Sequence, residues 1–284
     1  MDNRRSCDLH LHTHWSDGTL SVADTARRAR DAGLAAIAIT DHDTIGPELS
    51  RAVDDMSEVE VICGVELKAE VCGHRGEILG YFLQPDHPAL RELFTWMGRA
   101  RRARMREMIQ RCRELLGIPL EYEEVAARTG GSVGRPHLAA ELVRRGAAGS
   151  PQEAFDRFLG RDGACYVPLP RPSSRQVLAA IRAAGGVGAL AHPGLLPLED
   201  WRSSLARLKE EGMAALEVHY PYTEVRGPVY IRPPQLAALA GELGLVATGG
   251  SDDHGPNSVR DSLGMIRVPY AAVAALRPLA SSVT

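Results

Sequence analysis

The pattern of apolar and polar positions starts with a strict alternation over residues 7–12, CDLHLH. A period of two predicts a β-strand, on which residues i and i+2 point to the same side. We therefore expect His10 and His12 to aim two imidazoles at one point, with Asp8 beside them. Two neutral imidazoles that share a point favour a metal ion, and Asp17, in the Gly-containing loop that follows, can bring a carboxylate over it.

Short apolar runs follow this strand. Residues 34–40 (LAAIAIT) and 59–65 (VEVICGV) are typical of strands buried on both faces, and residues 77–82 (EILGYF) predict a further strand. Helices are predicted over 20–32 and from near 47 to near 57. Because strand and helix alternate, this part of the chain predicts the parallel sheet of an α/β protein.

The alternation stops between residues 87 and 161, where no clear apolar strand is found. A long Arg-rich helical stretch is followed by three shorter candidate helices, at 90–116, 122–128, 136–145 and 151–158. This predicts an all-helical insertion over 87–161 within a barrel domain formed by 1–86 and 162–284. Strand–helix alternation resumes after it, with helices at 173–184, 199–211 and 233–243 and strands within 187–193, 214–221 and 245–254.

Ionisable residues collect at the carboxyl ends of the predicted strands. They are His10, His12, Asp41, His42, Asp43, Glu66, His192, Glu217, His219, Asp252 and His254. In a parallel β/α barrel these ends converge, and so many ionisable groups are costly to desolvate together without a cation. The donors are nitrogen and oxygen, enough for two or three ions, and suit Mn, Fe, Zn or Mg. Glu66 is the natural bridging carboxylate, and Asp41 and Asp43 are expected to orient His42.

Composition excludes several other classes of protein. The 284 residues carry a net charge of -3, which gives no general bias toward nucleic acid or an anionic membrane. No apolar run reaches roughly 18 residues, and the polar N-terminus has no apolar signal segment, so neither membrane insertion nor secretion is expected. Five scattered cysteines without a CxxC spacing predict free thiols in a reducing cytoplasm. No obligate protein partner is evident.

Five ordered motifs carry a family resemblance: DLHLHTHWSDG, TDHD, GVEL, AHP and GSDDHG. With them the chain resembles the PHP (polymerase and histidinol phosphatase) family, and within it the stand-alone phosphoesterases that act on nucleotides. Those proteins carry a helical insertion with a GRPH motif, which is present here at 134–137. The resemblance implies a distorted (β/α)7 barrel that holds two or three divalent metal ions.

The resemblance also implies a ligand set. The first ion would be held by His10, His12, Glu66 and Asp252, the second by Glu66 and His192, and the third by Asp17, His42 and His254. Glu77 stands where relatives usually have a histidine, and His74 is its rival by position. A carboxylate at Glu77 would make the second site harder and favour Mn or Mg over Zn. Manganese is therefore the expected metal.

Substrate contacts are expected from four residues. The resemblance implies that Arg135 and His137 grip the substrate phosphate, although Pro136 can equally start a helix that leaves Arg135 on the surface. His219 is a candidate to bind the phosphate or protonate the leaving oxygen, or else to support a ligand, and Lys68 is a further phosphate candidate. Tyr220, Tyr222 and Tyr230 either line a base pocket or pack in the core.

The expected activity is that of a phosphoric ester hydrolase. It would release phosphate from a nucleoside mono- or 3′,5′-bisphosphate with a metal-bridging hydroxide as nucleophile, and Asp17, Glu66, His219 and Arg135 would act in catalysis. One alternative is 5′–3′ exoribonuclease activity on short RNA, which the arginines of 99–113 suggest. Interspersed Glu107 and Glu114 favour a solvated helix face for these arginines instead. A histidinol phosphate or sugar phosphate phosphatase and a non-catalytic metal- or nucleic-acid-binding module are the remaining alternatives.

Overall fold

The computed structural model describes residues 5–129 and 133–280. The chain divides into two compact units, Met1–Phe94 with Pro172–Thr284, and Thr95–Arg171. The first unit contains a sheet with helices, and the described part of the second is helical. Among the described residues, no helix is both long and apolar enough to cross a membrane.

Nine strands of the described residues form one nearly closed barrel sheet. They are β1 Ser6–Leu11, β2 Ala36–Ile39, β3 Val53–Met56, β4 Val59–Val71, β5 His74–Tyr81, β6 Val187–Leu190, β7 Met213–His219, β8 Val246–Gly249 and β9 Val268–Pro269. Their order is β8-β7-β6-β5-β4-β2-β1-β9, with β3 on β4. A parallel bridge between Leu11 and Asp253 brings the segment after β8 against β1, so the two ends of this order meet.

Several of the helices begin next to a residue whose side chain caps them. They are α1 Val22–Asp31, α2 Pro88–Leu116, α3 Tyr122–Ala126, α4 Arg135–Arg144, α5 Pro151–Ala154, α6 Ser174–Ala183, α7 Trp201–Glu210, α8 Pro233–Leu243 and α9 Ala271–Leu276. Ser21, Ser173 and Asp200 accept backbone N–H groups at the starts of α1, α6 and α7, which satisfies donors that have no partner within the helix.

Two local predictions are wrong. The segment predicted as a helix near 47–57 contains β3, which pairs antiparallel with β4 through a turn at Ser57 and Glu58, both with positive φ. The strand predicted at 77–82 is antiparallel, not parallel, to its neighbours. Only two residues, Cys72 and Gly73, connect it to β4, and a parallel crossover needs about a dozen.

Burial of both strand faces explains the continuous apolar runs. Cys7, Leu9, Ile62 and Leu79 are fully buried in one apolar core with Tyr81. The alternate positions of β1, occupied by Asp8 and His10, are also fully buried, but they are polar. One side of β1 therefore builds the core and the other carries the ionisable groups inward.

The helical unit has its own apolar core, which includes Met108, Leu138 and Leu142. Glu141 is buried at its edge, where a hydrogen bond from Arg144, reinforced by Arg145, lowers the pKa of Glu141 to about 2. Three exposed arginines of α2 pair with acidic or carbonyl groups of the same unit: Arg106 with Glu123, Arg111 with Glu107 and the Tyr166 carbonyl, and Arg113 with Glu121. These pairs agree with the prediction of a solvated helix face.

Candidate metal centre

Strand pairing brings the predicted ionisable residues to one end of the sheet. Backbone hydrogen bonds continue the β2–β4 pairing beyond β2, from Glu66 N to the Asp41 carbonyl and from Asp43 N to the Glu66 carbonyl. They set His42 beside Glu66. On the other side of β1, His12 N bonds the Asp253 carbonyl at 2.8 Å. Residues separated by more than two hundred positions thus become neighbours.

The Glu66 carboxylate lies at the middle of the cluster and is almost fully buried. Its Oε2 is 2.9 Å from His42 Nδ1 and 3.5 Å from the Nε2 atoms of both His10 and His12. Its Oε1 is 2.8 Å from His192 Nε2. Because one carboxylate faces four imidazoles, Glu66 has the geometry of a bridging group.

The carboxylate of Asp252 also belongs to this cluster, and its two oxygens have different partners. Its Oδ1 is 3.1 Å from His12 Nε2 and 3.5 Å from His10 Nε2. Its Oδ2 accepts the Tyr220 hydroxyl at 2.8 Å and also pairs with the Arg260 guanidinium. One oxygen is therefore held by the protein, and the other faces the imidazoles.

The outer edge of the cluster is formed by Asp17, whose side chain is 57% exposed. Asp17 Oδ1 is 3.3 Å from His254 Nε2, and Oδ2 is 3.7 Å from His42 Nε2. At another edge, Glu77 Oε2 lies 3.3 Å from His192 Nε2. All nine residues that the sequence nominates as metal ligands thus lie in one continuous cluster.

Several buried polar atoms in this cluster have no hydrogen-bond partner. They are His10 Nε2, both ring nitrogens of His12, His42 Nδ1, Glu66 Oε2 and Asp252 Oδ1. A buried polar group without a partner costs about 1–3 kcal/mol, and here the orphaned atoms face one another. Divalent cations among them would satisfy nitrogen and oxygen donors together, so the residues present fit two or three such ions.

Charged groups in the cluster shift the pKa values of its histidines. Burial opposes protonation of His10, but the Glu217 and Glu66 carboxylates outweigh it and raise the pKa of His10 to about 10. Burial likewise opposes protonation of His192, yet hydrogen bonds to Glu66 and Glu77 raise its pKa to about 10. In the metal-free protein these two imidazoles are cationic, so an ion that enters must displace protons.

The same charges act on the acidic groups and on His12. Burial opposes ionisation of Glu66, but the charge and hydrogen bond of His10 hold the pKa of Glu66 well below its ordinary value. Burial also opposes ionisation of Asp17, whose pKa is nevertheless lowered by its hydrogen bond with His254. Burial carries the pKa of His12 well below its ordinary value, so this imidazole is neutral and ready to ligate.

Three of the eight non-glycine residues with positive φ in the described part of the chain lie at the cluster. Asp43, His192 and Asp252 have φ values of 53°, 26° and 55°, a region that residues other than glycine rarely adopt. Each such residue costs of order 1–3 kcal/mol, and such strain is typical of functional sites. The local sequence contains no pattern that predicts this backbone conformation.

The structure adds three groups that the predicted ligand set does not include. Glu217, fully buried, accepts from His10 Nδ1 at 2.9 Å and from the His192 backbone N–H at 2.5 Å. Tyr220 and Arg260 hold Asp252. Glu217 and Tyr220 could have been found from the motif EVHY at the end of a predicted strand. No local sequence pattern points to Arg260.

Asp41 does not play its predicted part beside His42. Its carboxylate accepts the Thr13 backbone N–H at 2.7 Å, the Thr13 hydroxyl at 2.6 Å and the Ser16 hydroxyl at 2.6 Å. Asp41 therefore fixes the loop that carries Asp17.

The expected substrate residues are distributed over both units. Lys68 Nζ lies 3.6 Å from Asp43 Oδ2 and 3.9 Å from Glu77 Oε1, at the edge of the cluster. His219 ends β7 with an exposed side chain, and none of the ring contacts or ion pairs of the described residues includes it. The register between β7 and β8 shifts between Glu217 and His219, so the i, i+2 rule does not place both on one side.

Arg135 and His137 stand at the start of α4 in the helical unit. The Arg135 guanidinium lies over the rings of Phe155 and Tyr166, and its Nη1 donates to the Leu159 carbonyl at 3.2 Å. His137 Nδ1 accepts the Gly134 N–H at 3.0 Å. Pro136 is in the first turn of α4, and the role of Arg135 and His137 toward phosphate stays a prediction.

Several known proteins are similar to this chain. Residues 8–158 match the family model described as the PHP domain. The chain is 33% identical over 256 residues to the 5′-3′ exoribonuclease Rnm of Salmonella typhimurium, covering 88% of this chain and 85% of that protein. It is 29% identical over 264 residues to the 3′,5′-nucleoside bisphosphate phosphatase of Chromobacterium violaceum, covering 88% and 87%. The crystal structure of a candidate metal-dependent phosphoesterase from Bifidobacterium adolescentis aligns with a TM-score of 0.72 and 28% identity over 99% of this chain and 98% of that chain.

Proposed function

Since this chain belongs to the PHP domain family and is a metal-dependent phosphoesterase, we propose that its substrate is a phosphomonoester of a small nucleotide, a nucleoside mono- or 3′,5′-bisphosphate. The observation that carries the proposal is the buried cluster of unpartnered nitrogen and oxygen atoms around Glu66. The bisphosphate phosphatase of C. violaceum, which is similar over nearly the full chain, supports the choice of substrate.

We propose the following ligand sets within the cluster. His10, His12, Glu66 and Asp252 would hold one ion, Glu66, Glu77 and His192 a second, and Asp17, His42 and His254 a third. Two carboxylates in the second set favour a hard ion, and we propose manganese. Divalent ions held there would neutralise the phosphoryl oxygens and lower the pKa of a water molecule.

The chain's own groups prepare this chemistry. Glu217 holds the N–H of His10 Nδ1 and so leaves Nε2 free to ligate. Tyr220 and Arg260 hold one oxygen of Asp252, which leaves the other for a cation. Lys68, which is 28% exposed, places an ammonium beside the cluster where a phosphate oxygen can bind. Asp17, which is partly exposed and has a lowered pKa, keeps an ionised carboxylate for a cation at the open edge.

Phosphate release tests the proposal directly. Protein stripped of metal and reloaded with manganese is assayed for inorganic phosphate from a panel of nucleoside mono- and 3′,5′-bisphosphates. Asp252→Ala should lose both bound metal, by elemental analysis, and turnover. Arg135→Ala should keep its metal and lose kcat/KM by roughly 10²-fold, the scale of a lost electrostatic stabiliser. Absence of phosphate release from every nucleotide would refute the proposed substrate class.

Exoribonuclease activity is a second candidate, favoured by the similarity to the Salmonella enzyme. It uses the same chemistry on a phosphodiester at an RNA end. A 5′-phosphorylated oligonucleotide and a 3′,5′-bisphosphate, assayed side by side, separate the two. If the oligonucleotide stays intact while the bisphosphate is hydrolysed, this candidate is eliminated.

A further inference from the structure

Trp15 presents an indole that is 43% exposed, in the loop that carries Asp17. We propose that Trp15 is a stacking platform for the nucleobase of the substrate. The inference rests on the proposed function and deepens it, because it makes the base, and not only the phosphate, part of what the site recognises.

The indole is held rigidly despite its exposure. Its Nε1 donates to the Glu48 carboxylate, and its backbone N–H donates to the Thr13 hydroxyl at 3.3 Å. A Cβ on Gly46 would lie 2.4 Å from Trp15 Cδ1, so the indole packs directly on the Gly46 backbone and only glycine fits. The His14 ring lies 5.0 Å away at 39°. An aromatic ring fixed before binding loses little entropy when a base stacks on it.

The loop beneath the indole is equally fixed. Residues 13–18 belong to the connection between β1 and α1, and Asp41 anchors both Thr13 and Ser16. Gly18 N bonds the Thr13 carbonyl at 2.9 Å, which closes the loop on itself. Such anchoring makes the position of Trp15 a fixed property of the fold.

Trp15 lies in the same loop as Asp17, one of the proposed metal ligands. Trp15 is two residues from Asp17, so their Cα atoms lie within about 7 Å of each other. Asp17 Oδ1 is itself 3.3 Å from His254 Nε2. A phosphate held by ions at the cluster would leave the base, one ribose away, within reach of the indole. Base–aromatic stacking tolerates any base, so the platform predicts selection for a nucleotide over a bare sugar phosphate, with little choice among bases.

Three variants test the platform. Trp15→Leu removes the ring, Trp15→Phe keeps an aromatic face, and Gly46→Ala keeps the indole but displaces it. Trp96→Leu is the matched control, because Trp96 is also 43% exposed and lies on α2. Each protein is assayed with a nucleoside 5′-monophosphate and with ribose 5-phosphate. Quenching of tryptophan fluorescence by the nucleotide is measured separately and does not depend on turnover.

We expect Trp15→Leu and Gly46→Ala to raise KM for the nucleotide about tenfold, within the range measured for lost base stacking, with kcat little changed. KM for ribose 5-phosphate should stay as in the parent protein, Trp15→Phe should recover most of the loss, and Trp96→Leu should change neither. Nucleotide quenching should persist in Trp96→Leu and disappear in Trp15→Leu.

An unchanged nucleotide KM in Trp15→Leu would overturn the inference. So would an equal rise in KM for both substrates, since that would mean damage to the Asp17 loop. If the parent protein releases phosphate from none of the nucleoside mono- and 3′,5′-bisphosphates, the proposed function fails, and the quenching titrations alone decide the platform. Quenching by the nucleotide but not by ribose 5-phosphate would support it, and no quenching would refute it.

Discussion

Glu217→Gln is the most informative single change at the cluster, because it alters charge without altering size. In the wild type, one carboxylate oxygen accepts from His10 Nδ1 at 2.9 Å and the other accepts the His192 N–H at 2.5 Å. A glutamine amide has only one acceptor oxygen, and its NH₂ group must then oppose one of these two donors. Either the His192 backbone loses its partner, or the His10 proton moves to Nε2, the atom that faces Glu66 and Asp252.

The expected magnitude follows from these contacts. Loss of a group that supports a metal ligand typically costs 10–100-fold in metal affinity, or roughly 1.4–2.7 kcal/mol. Glu217 contacts two of the proposed ligands and is fully buried, so no water can substitute for the lost acceptor. We therefore expect the upper end, about 100-fold weaker manganese binding, with a similar loss in kcat/KM.

Calorimetric titration of manganese into metal-free protein measures this effect, and phosphate release under saturating manganese separates affinity from turnover. Glu211→Gln is the matched control, since Glu211 is also buried in the barrel unit but contacts Ser174 and Arg207. Manganese affinity of Glu217→Gln within threefold of the wild type, in a protein with native circular dichroism, would refute the argument that Glu217 orients the ligands.

Other predictions concern protons, the Asp252 clamp and the helical unit. His10 and His192, with pKa values raised to about 10, must each release a proton to ligate, so manganese affinity should rise with pH from 6 to 8 by up to about tenfold per pH unit for each proton. Calorimetry in two buffers of different ionisation enthalpy counts those protons. Arg260→Gln should weaken manganese binding and lower kcat/KM, each about tenfold, because Asp252 Oδ2 loses its guanidinium partner. Elemental analysis measures the bound metal, and steady-state kinetics measure kcat/KM. Glu141, whose pKa is lowered to about 2 by Arg144, stabilises the fold above its ordinary value of 4.5, and that stability is lost as pH falls toward 2. Glu141→Gln should therefore lower Tm at pH 6 and reduce its fall in acid, as followed by circular dichroism.

Each of these has a contrary outcome. If the heat of manganese binding were the same in both buffers, binding would release no protons. The imidazoles would then already be neutral in the metal-free protein. Wild-type affinity in Arg260→Gln would mean that Tyr220 alone suffices to hold Asp252. Equal acid sensitivity in Glu141→Gln and the wild type would assign the loss of stability to other carboxylates.

Local sequence patterns were sufficient to predict those parts of the site that lie on a single strand. Alternation over residues 7–12 aims His10 and His12 to one side, and the structure places both imidazoles in the cluster. Apolar runs followed by an acidic group or an imidazole likewise identified Glu66 and His192, whose Oε1 and Nε2 atoms lie 2.8 Å apart, although Glu66 stands within β4 and not at its end. These features depend on the period of a strand and on the composition of its last residues, which a linear sequence contains in full.

Tertiary structure alone decided the partners of those residues. Glu217 meets His10 across 207 positions, and Arg260 meets Asp252 only because the loop after β8 folds back. The side chain of His219 is exposed, and the β7–β8 register shifts between Glu217 and His219, which the sequence did not predict. The period of a strand fixes the side to which a residue points, but closure of the sheet determines which distant strands meet, and that closure is a property of the whole packed chain.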